Sequence, residues 1–348
     1  MRARGTPANP PNRFEPIRRA PTEEEAARLE AESPATQLLS DPSRSIVATN
    51  ESPDVGFDAS VNPYRGCEHG CVYCYARPTH EYLGFSAGLD FETKILVKER
   101  APELLRARLS ARSWRPQTVA LSGVTDPYQP GERRLGLTRR CLEVLVEFRN
   151  PVSIVTKSHL VTRDADLLGE LASLGAASAL VSVTTLDPEL ARAMEPRAAP
   201  PGRRLAAIEA LAHAGVPVGV MVAPIVPGLT DHEVPRILAA TASAGARFAG
   251  RVLLRLPHGV AELFDAWLAD RYPERRAKVL SRLRAMRGGR LYDPRFRARQ
   301  RGEGFFADEL ERLFELSRRR AGLAARGPEL STAHFRRPER SGGQLALF

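Results

Sequence analysis

The sequence predicts an α/β protein built on a parallel sheet covered by helices. Two observations carry this. Between about residues 118 and 256, short apolar runs suited to buried strands alternate with longer stretches of helical apolar spacing. The helical stretches close on glycine, at Gly175, Gly215 and Gly245, and the connections are short. With the opening unit there are about six strand–helix units, and a repeated βα pattern calls for a parallel sheet with helices on its faces.

Taken in order, residues 1–45 are rich in Pro, Ala, Arg and Glu, so mostly disorder is expected, with one short helix over 22–32. Residues 46–60 lead as extended chain into the stretch 62–75. Residues 91–98 alternate like a strand, and a helix follows over 101–111. Strands are then predicted at 118–122, 152–156, 179–184, 216–222 and 251–256, with helices at 137–148, 164–174, 188–194, 203–214 and 232–244. Leu142, Leu145 and Val146 carry the helical spacing of 137–148. Residues 261–287 read as helix interrupted at Pro273, and a last helix ends near 323. Residues 325–343 are polar and contain Pro and Gly, the composition of a flexible tether. The expected organisation is a disordered segment 1–45, an α/β domain 46–260, a basic helical extension 261–324 and a flexible tail 325–348.

The 348 residues are 43 % apolar, which suits one large folded core with extensions. Of four cysteines, three lie together, so a disulfide framework is not expected and a reducing compartment, the cytoplasm, is. The opening Met1-Arg2-Ala3-Arg4 is not followed by an apolar run, so no secretory signal is expected. The longest apolar run, 216–227, is too short and too rich in Pro and Gly to cross a bilayer, so no membrane association is expected. Net charge is +10. Residues 271–320 hold 16 Lys/Arg against 7 Asp/Glu, a surplus of +9. Such a block either attracts a polyanion, nucleic acid being the common one, or is a solvated Arg-rich helical face.

The chemistry concentrates in residues 62–75. Cys67, Cys71 and Cys74 are spaced C-x3-C-x2-C. Three thiolates this close hold three corners of a [4Fe–4S] cube and leave the fourth iron open to a small molecule. Gly66 and Gly70 let the loop wrap the cluster. Tyr73 places an aromatic ring beside a flat ligand. The competing reading is a Cys3His zinc site using His69 or His80, although zinc sites usually split their ligands into two pairs and no second cysteine pair exists.

With its aromatic before the third cysteine, this motif resembles the signature of radical SAM enzymes. The wider wording, Asn62-Pro63-Tyr64-Arg65-Gly66-Cys67 through Cys74-Tyr75-Ala76-Arg77, is similar to the branch that includes spore photoproduct lyase, over about residues 60–260. The resemblance implies a partial (β/α)6 barrel with its chemistry at the carboxyl ends of the strands. It implies a [4Fe–4S] cluster whose open iron chelates S-adenosylmethionine, an electron donor such as flavodoxin or ferredoxin, and release of a 5′-deoxyadenosyl radical. Ser122, Thr125 and Asp126 stand where many members carry Gly-Gly-Glu, and are expected to contact the cofactor. The alternative is that Asp126-Pro127 makes an ordinary turn. Lys157 is expected at the cofactor carboxylate, Ser182 at its ribose or carboxylate, and Ile225 and Val226 beside the adenine. Arg255, with Pro257-His258-Gly259, either faces substrate or caps and pairs locally. One departure counts against the lyase reaction itself: residues 120–123 hold no cysteine to serve as hydrogen-atom donor. Cys141 reads as a buried small apolar residue.

The chain ends Gln344-Leu345-Ala346-Leu347-Phe348, which resembles the sliding-clamp-binding peptide of bacterial polymerases and repair proteins. Leu345, Leu347 and Phe348 would fill an apolar groove and Gln344 would set the register. The reading that follows is a radical SAM enzyme acting on nucleic acid. Its rivals are the same chemistry on a protein or metabolite, and a non-catalytic, clamp-associated DNA-binding metalloprotein.

Overall fold

The computed structural model describes residues 4–15 and 34–338. Its strands, in chain order, are β1 (Gln37–Ser40), β2 (Val47–Thr49), β3 (Ala59–Val61), β4 (Tyr64–Arg65), β5 (Lys94–Val97), β6 (Val119–Leu121), β7 (Val152–Thr156), β8 (Ala177–Ser182), β9 (Val218–Ile225) and β10 (Phe248–Leu253). The main sheet has the order β10-β9-β8-β7-β6-β3-β2. All its pairings are parallel except β2 with β3. β6 is buried at every residue and β8 at all but one, as strands covered on both faces must be. A smaller sheet, β1-β5-β4, stands beside it.

Helices return between the parallel strands. Leu137–Phe148 buries Leu137, Cys141, Leu142, Leu145 and Phe148 on one stripe. Each large apolar side chain so buried contributes about 1.5–3 kcal/mol. Pro188–Met194 starts where the Asp187 carboxylate accepts from the amides of Glu189, 2.8 Å, and Leu190, 3.3 Å, a side-chain cap.

Leu137–Phe148, Val152–Thr156 and Pro188–Met194 have the predicted bounds. Other strands are shifted: β8 starts at Ala177, because Val152 pairs with Ala177 and fixes the register. The predicted strand 91–98 is divided. Asp90–Thr93 is a helical turn, and only Lys94–Val97 is a strand, in the smaller sheet. Residues 261–287 form two helices, Val260–Arg271 and Pro273–Ala285, meeting at Pro273.

Both ends of the chain differ from expectation. Residues 4–14 are packed: Thr6 and Asn12 are buried, and the side chain of Asn12 donates to the carbonyl of Glu81, 2.8 Å. Residues 37–40 form strand β1 in parallel with β5. The composition of this region suggested disorder, but its anchors are polar, the amides of Gly5 and Thr6 and the side chains of Arg4 and Asn12, which apolar periodicity does not register. The helix expected at 22–32 lies outside the described residues. The expected tether from 325 is docked as far as residue 336. The Ala324 amide donates to the carbonyl of Arg247, 2.8 Å, the Ser331 amide to Gly175, 2.9 Å, and the Arg336 amide to Phe148, 2.9 Å. These partners all precede strands, so residues 324–336 cross the amino ends of the sheet. The peptide Gln344, Leu345, Leu347 and Phe348 lies outside the described residues.

Among the described residues no helix is long and apolar enough to cross a membrane.

Gly5 meets Gly70 backbone to backbone. A Cβ on Gly5 would lie 1.6 Å from the Gly70 carbonyl oxygen, and one on Gly70 would lie 2.7 Å from Glu92 Oε2. Gly5→Ala is therefore expected to cost about 1–3 kcal/mol, read as a lower urea midpoint. Gly56→Ala, where a Cβ meets nothing within 4 Å, should change stability by less than about 0.5 kcal/mol.

Candidate functional site

The loops at the carboxyl ends of β3, β6, β7, β8, β9 and β10 surround one mouth. The first carries the three cysteines, and the fold shows how it is held. The Cys67 amide donates to the carbonyl of Phe91, 2.9 Å, and the Val72 amide to Met194, 3.0 Å. The Gln129 side chain bridges the two flanks of Cys67, donating to the Gly66 carbonyl at 3.3 Å and accepting from the Glu68 amide at 2.9 Å. Arg77, fully buried, donates to the carbonyls of Cys71, 3.0 Å, Ala87, 3.2 Å, and Gly88, 2.8 Å, and to the Glu92 carboxylate, 2.6 Å. Glu92 also accepts from the amides of Gly5, 2.8 Å, and Thr6, 3.1 Å.

Cys67, Cys71 and Cys74 are free thiols, the first two buried and the third half-buried. Cys74 packs against the apolar groups around both other cysteines. Burial pushes all three thiols up, and for Cys67 the neighbouring Asp126, Cys71 and Cys74 push in the same direction. Three thiolates do not share a dry pocket without a compensating cation, and bound iron would supply it. The histidines of the zinc reading have other partners: His80 Nε2 lies 2.9 Å from the Lys94 carbonyl and His69 Nδ1 lies 3.4 Å from Asp126. The donor set fits a cluster held by three thiolates. Cys141 is fully buried in the main core, away from this loop.

The other predicted residues divide into two groups. Lys157, at the end of β7, is half-buried with Nζ 5.9 Å from the Tyr73 ring centroid. Among the described residues its ammonium makes no ion pair. Ser182 is buried at the end of β8. Ser122 is half-buried at the end of β6, where the backbone leaves the extended basin, with φ 155° at Ser122 and 121° at Gly123.

The second group is committed to the protein. Asp126 accepts from Thr156 Oγ1 and the Lys157 amide, both 2.7 Å, and from the Tyr128 amide, 2.9 Å. Burial alone would raise its carboxyl, but His69 and these donors hold it down to about 2. It ties the end of β6 to the end of β7 instead of presenting a free carboxylate. Thr125 gives its hydroxyl to the Tyr64 carbonyl, 3.2 Å. Ile225 and Val226 are fully buried. The Ile225 carbonyl accepts from the Leu254 amide and the Val226 amide donates to Thr230 Oγ1, 2.9 Å. Tyr73 is buried, with its hydroxyl on Glu195 and 3.4 Å from Thr184 Oγ1. Glu195 also pairs with the buried Arg204. Against burial, Arg204 and Lys157 pull the Glu195 carboxyl below its ordinary value.

Sequence reasoning missed Arg77, Glu92, Glu195, Arg204 and Gln129. Arg77 stood within the quoted motif and Gln129 beside the Asp126-Pro127 turn. The partners that give them meaning are distant in sequence.

Three cysteines on one loop, at the carboxyl mouth of a parallel α/β sheet, define a cluster enzyme that leaves one iron for a cofactor. A family model described as the radical SAM superfamily matches residues 61–240. An uncharacterized protein of Mycobacterium tuberculosis is 41 % identical over 256 residues, 72 % of this chain and 74 % of the relative. An uncharacterized protein of Methanocaldococcus jannaschii is 30 % identical over 173 residues, 50 % of this chain and 62 % of the relative. Among solved structures, spore photoproduct lyase complexed with dinucleoside spore photoproduct superposes with a TM-score of 0.59 at 17 % identity, over 88 % of this chain and 85 % of that one. At that identity the likeness is one of fold. The chain belongs to the radical SAM superfamily. It is a radical SAM enzyme, and its cofactors are a [4Fe–4S] cluster and S-adenosylmethionine. When bound, they supply a 5′-deoxyadenosyl radical by reductive cleavage of the sulfonium.

Replacing Cys67, Cys71 or Cys74 singly by Ala is expected to remove most cluster iron, because each is one of three corner ligands. Cys141→Ala should retain it. Iron content per chain after anaerobic reconstitution distinguishes the two outcomes.

Proposed function

We propose that this enzyme binds S-adenosylmethionine at the mouth beside Lys157 and uses the radical on DNA, in a lesion-repair type of reaction. The observation that carries the DNA reading is the placement of the basic segment. Lys278 and Arg282 lie over the loop that follows β9, their side-chain carbons 3.3 and 3.6 Å from where a Cβ on Gly228 would stand. Arg282 pairs with Asp231 at 2.7 Å. Arg299 reaches Asp54 and, at 2.7 Å, Ser52 Oγ in the loop before β3. Lys278 and Arg282 therefore stand at the carboxyl ends of the strands, where a polyanionic substrate would meet them. The lyase-like fold adds support, since that relative was solved with a dinucleoside photoproduct. The absence of a cysteine in 120–123 argues for a different hydrogen donor from the lyase's.

Within this reading Lys157 holds the cofactor carboxylate as a point charge. Asp126 and Thr156 fix the backbone that presents it, and Ser122 and Ser182 lie at neighbouring strand ends as further contacts. A flavodoxin- or ferredoxin-type donor supplies the electron. Free thiols and an open cluster suit the reducing cytoplasm. The terminal Gln344, Leu345, Leu347 and Phe348 would tether the enzyme to a sliding clamp, a proposal that rests on those residues alone.

Lys157→Ala is expected to weaken S-adenosylmethionine binding roughly ten- to a hundredfold, the worth of a charge-assisted bond of about 1.5–3 kcal/mol, with iron content unchanged. Calorimetric titration of the reconstituted protein reads this, and unaltered affinity would remove Lys157 from the cofactor site. The substrate reading is tested by anaerobic incubation with reductant and S-adenosylmethionine, with and without ultraviolet-irradiated DNA. The expected result is 5′-deoxyadenosine formation that DNA alters and a product arising in the DNA. DNA that changes neither would favour a protein or metabolite substrate.

A further inference from the structure

An Arg-rich helical face in water ordinarily turns its rings inward. The segment after β10 buries Phe264, Trp267 and Phe314 in this way but leaves three other rings in water. Phe296 is 55 % exposed, Phe305 71 % and Phe306 40 %. Two of the three have a guanidinium over the ring, Arg299 4.5 Å from the centroid of Phe296 and Arg282 5.5 Å from that of Phe306. Phe305 and Phe306 meet edge to face with centroids 5.6 Å apart. Arg282 is anchored to Asp231, in the loop that follows β9 at the mouth, and Arg299 to Asp54, in the loop before β3. The Phe305–Phe306 pair is thus held at the rim of the mouth.

Between them, Lys278, Arg297 and Arg301 are exposed and form no ion pair among the described residues. Nearer the cysteines, Arg255 lies over the half-exposed Tyr75 ring at 4.7 Å, and its buried Nε has no hydrogen-bond partner among the described residues. The Tyr75 hydroxyl donates to the Gly123 carbonyl at 2.5 Å. A path of rings and unspent cationic donors therefore runs from Phe305 and Phe306 toward the cluster loop.

We propose that this rim binds single-stranded DNA: the exposed phenylalanines stack on unpaired bases, and Lys278, Arg297 and Arg301 follow the phosphates. The inference rests on the DNA reading above and deepens it. Stacking on an aromatic side chain strengthens binding by roughly five- to a hundredfold per base. It is open only to bases that have left the helix, because in a duplex their faces are already covered. A purely electrostatic surface would favour the duplex, whose charge density is higher. The rim would deliver an unstacked base to the mouth, where a radical generated beside the buried cysteine loop can reach it.

The test is fluorescence anisotropy of the reconstituted full chain with a labelled single-stranded oligonucleotide and with its duplex, at several salt concentrations. Wild-type protein should bind the single strand at least tenfold more tightly. The triple variant Phe296→Ala, Phe305→Ala, Phe306→Ala should lose at least tenfold for the single strand and change little for the duplex, with the salt dependence kept. Lys278→Ala with Arg297→Ala should weaken both forms and flatten the salt dependence. Iron content and melting temperature confirm that each variant is folded. If the wild type prefers duplex, or the triple variant binds the single strand as before, the rim proposal fails while the DNA reading stands. If the wild type binds neither form, the DNA reading itself fails and takes this proposal with it.

Discussion

The buried pair Arg77–Glu92 is the interaction on which the cysteine loop depends. Both side chains are fully buried, and two charges removed from water are costly unless their hydrogen-bonding capacity is used. Here it is used. Arg77 spends its donors on three carbonyls, one of them that of Cys71, and on Glu92. Glu92 spends its acceptors on Arg77 and on Gly5 and Thr6. Three segments that sequence keeps apart, 4–6, 67–77 and 87–92, are held in one geometry. The thiols inherit their positions from it.

A second set of bonds joins that loop to its neighbours. Asn62 accepts from the amides of Val124 and Thr125, 3.2 and 3.4 Å. Gln129 spans the backbone on either side of Cys67, and Glu68 pairs with Arg197 at 3.0 Å. Asp126 carries the connection on to β7. The ends of β3, β6 and β7 behave as one unit, so a displacement in any of them is felt at the cysteines. Lys157 differs from its neighbours in having its backbone fixed while its ammonium makes no ion pair among the described residues, the condition for a preorganised contact to an anionic ligand.

The fold class was legible because strand and helix periodicities are local. Leu137–Phe148 and Val152–Thr156 need only their own residues to be read. The cysteines were legible for the same reason, since their spacing is itself the chemistry. The polar residues at strand ends were not, because a carboxylate such as Asp126 looks the same in sequence whether its donors come from a ligand or from Thr156 and the Lys157 amide. Ile225 and Val226 fall in the same class: an apolar pair at a strand end reads the same in sequence whether it lines a ligand or packs in the core. The two chain ends were misjudged because composition weighs side chains, whereas Gly5 and residues 324–336 are held largely through backbone groups.

The docking of 324–336 across the amino ends of the strands has a practical consequence for handling the protein. Anything fused or labelled beyond residue 338 starts from the end of the sheet opposite the mouth, separated from the cysteines by the length of the strands. The other end of the chain offers no such freedom, because Arg4 and Gly5 already sit against the cysteine loop, with Arg4 donating to the Glu92 carbonyl at 3.0 Å. An affinity tag or reporter belongs on the carboxyl side, since one placed ahead of Arg4 would be set beside the most oxygen-sensitive part of the molecule.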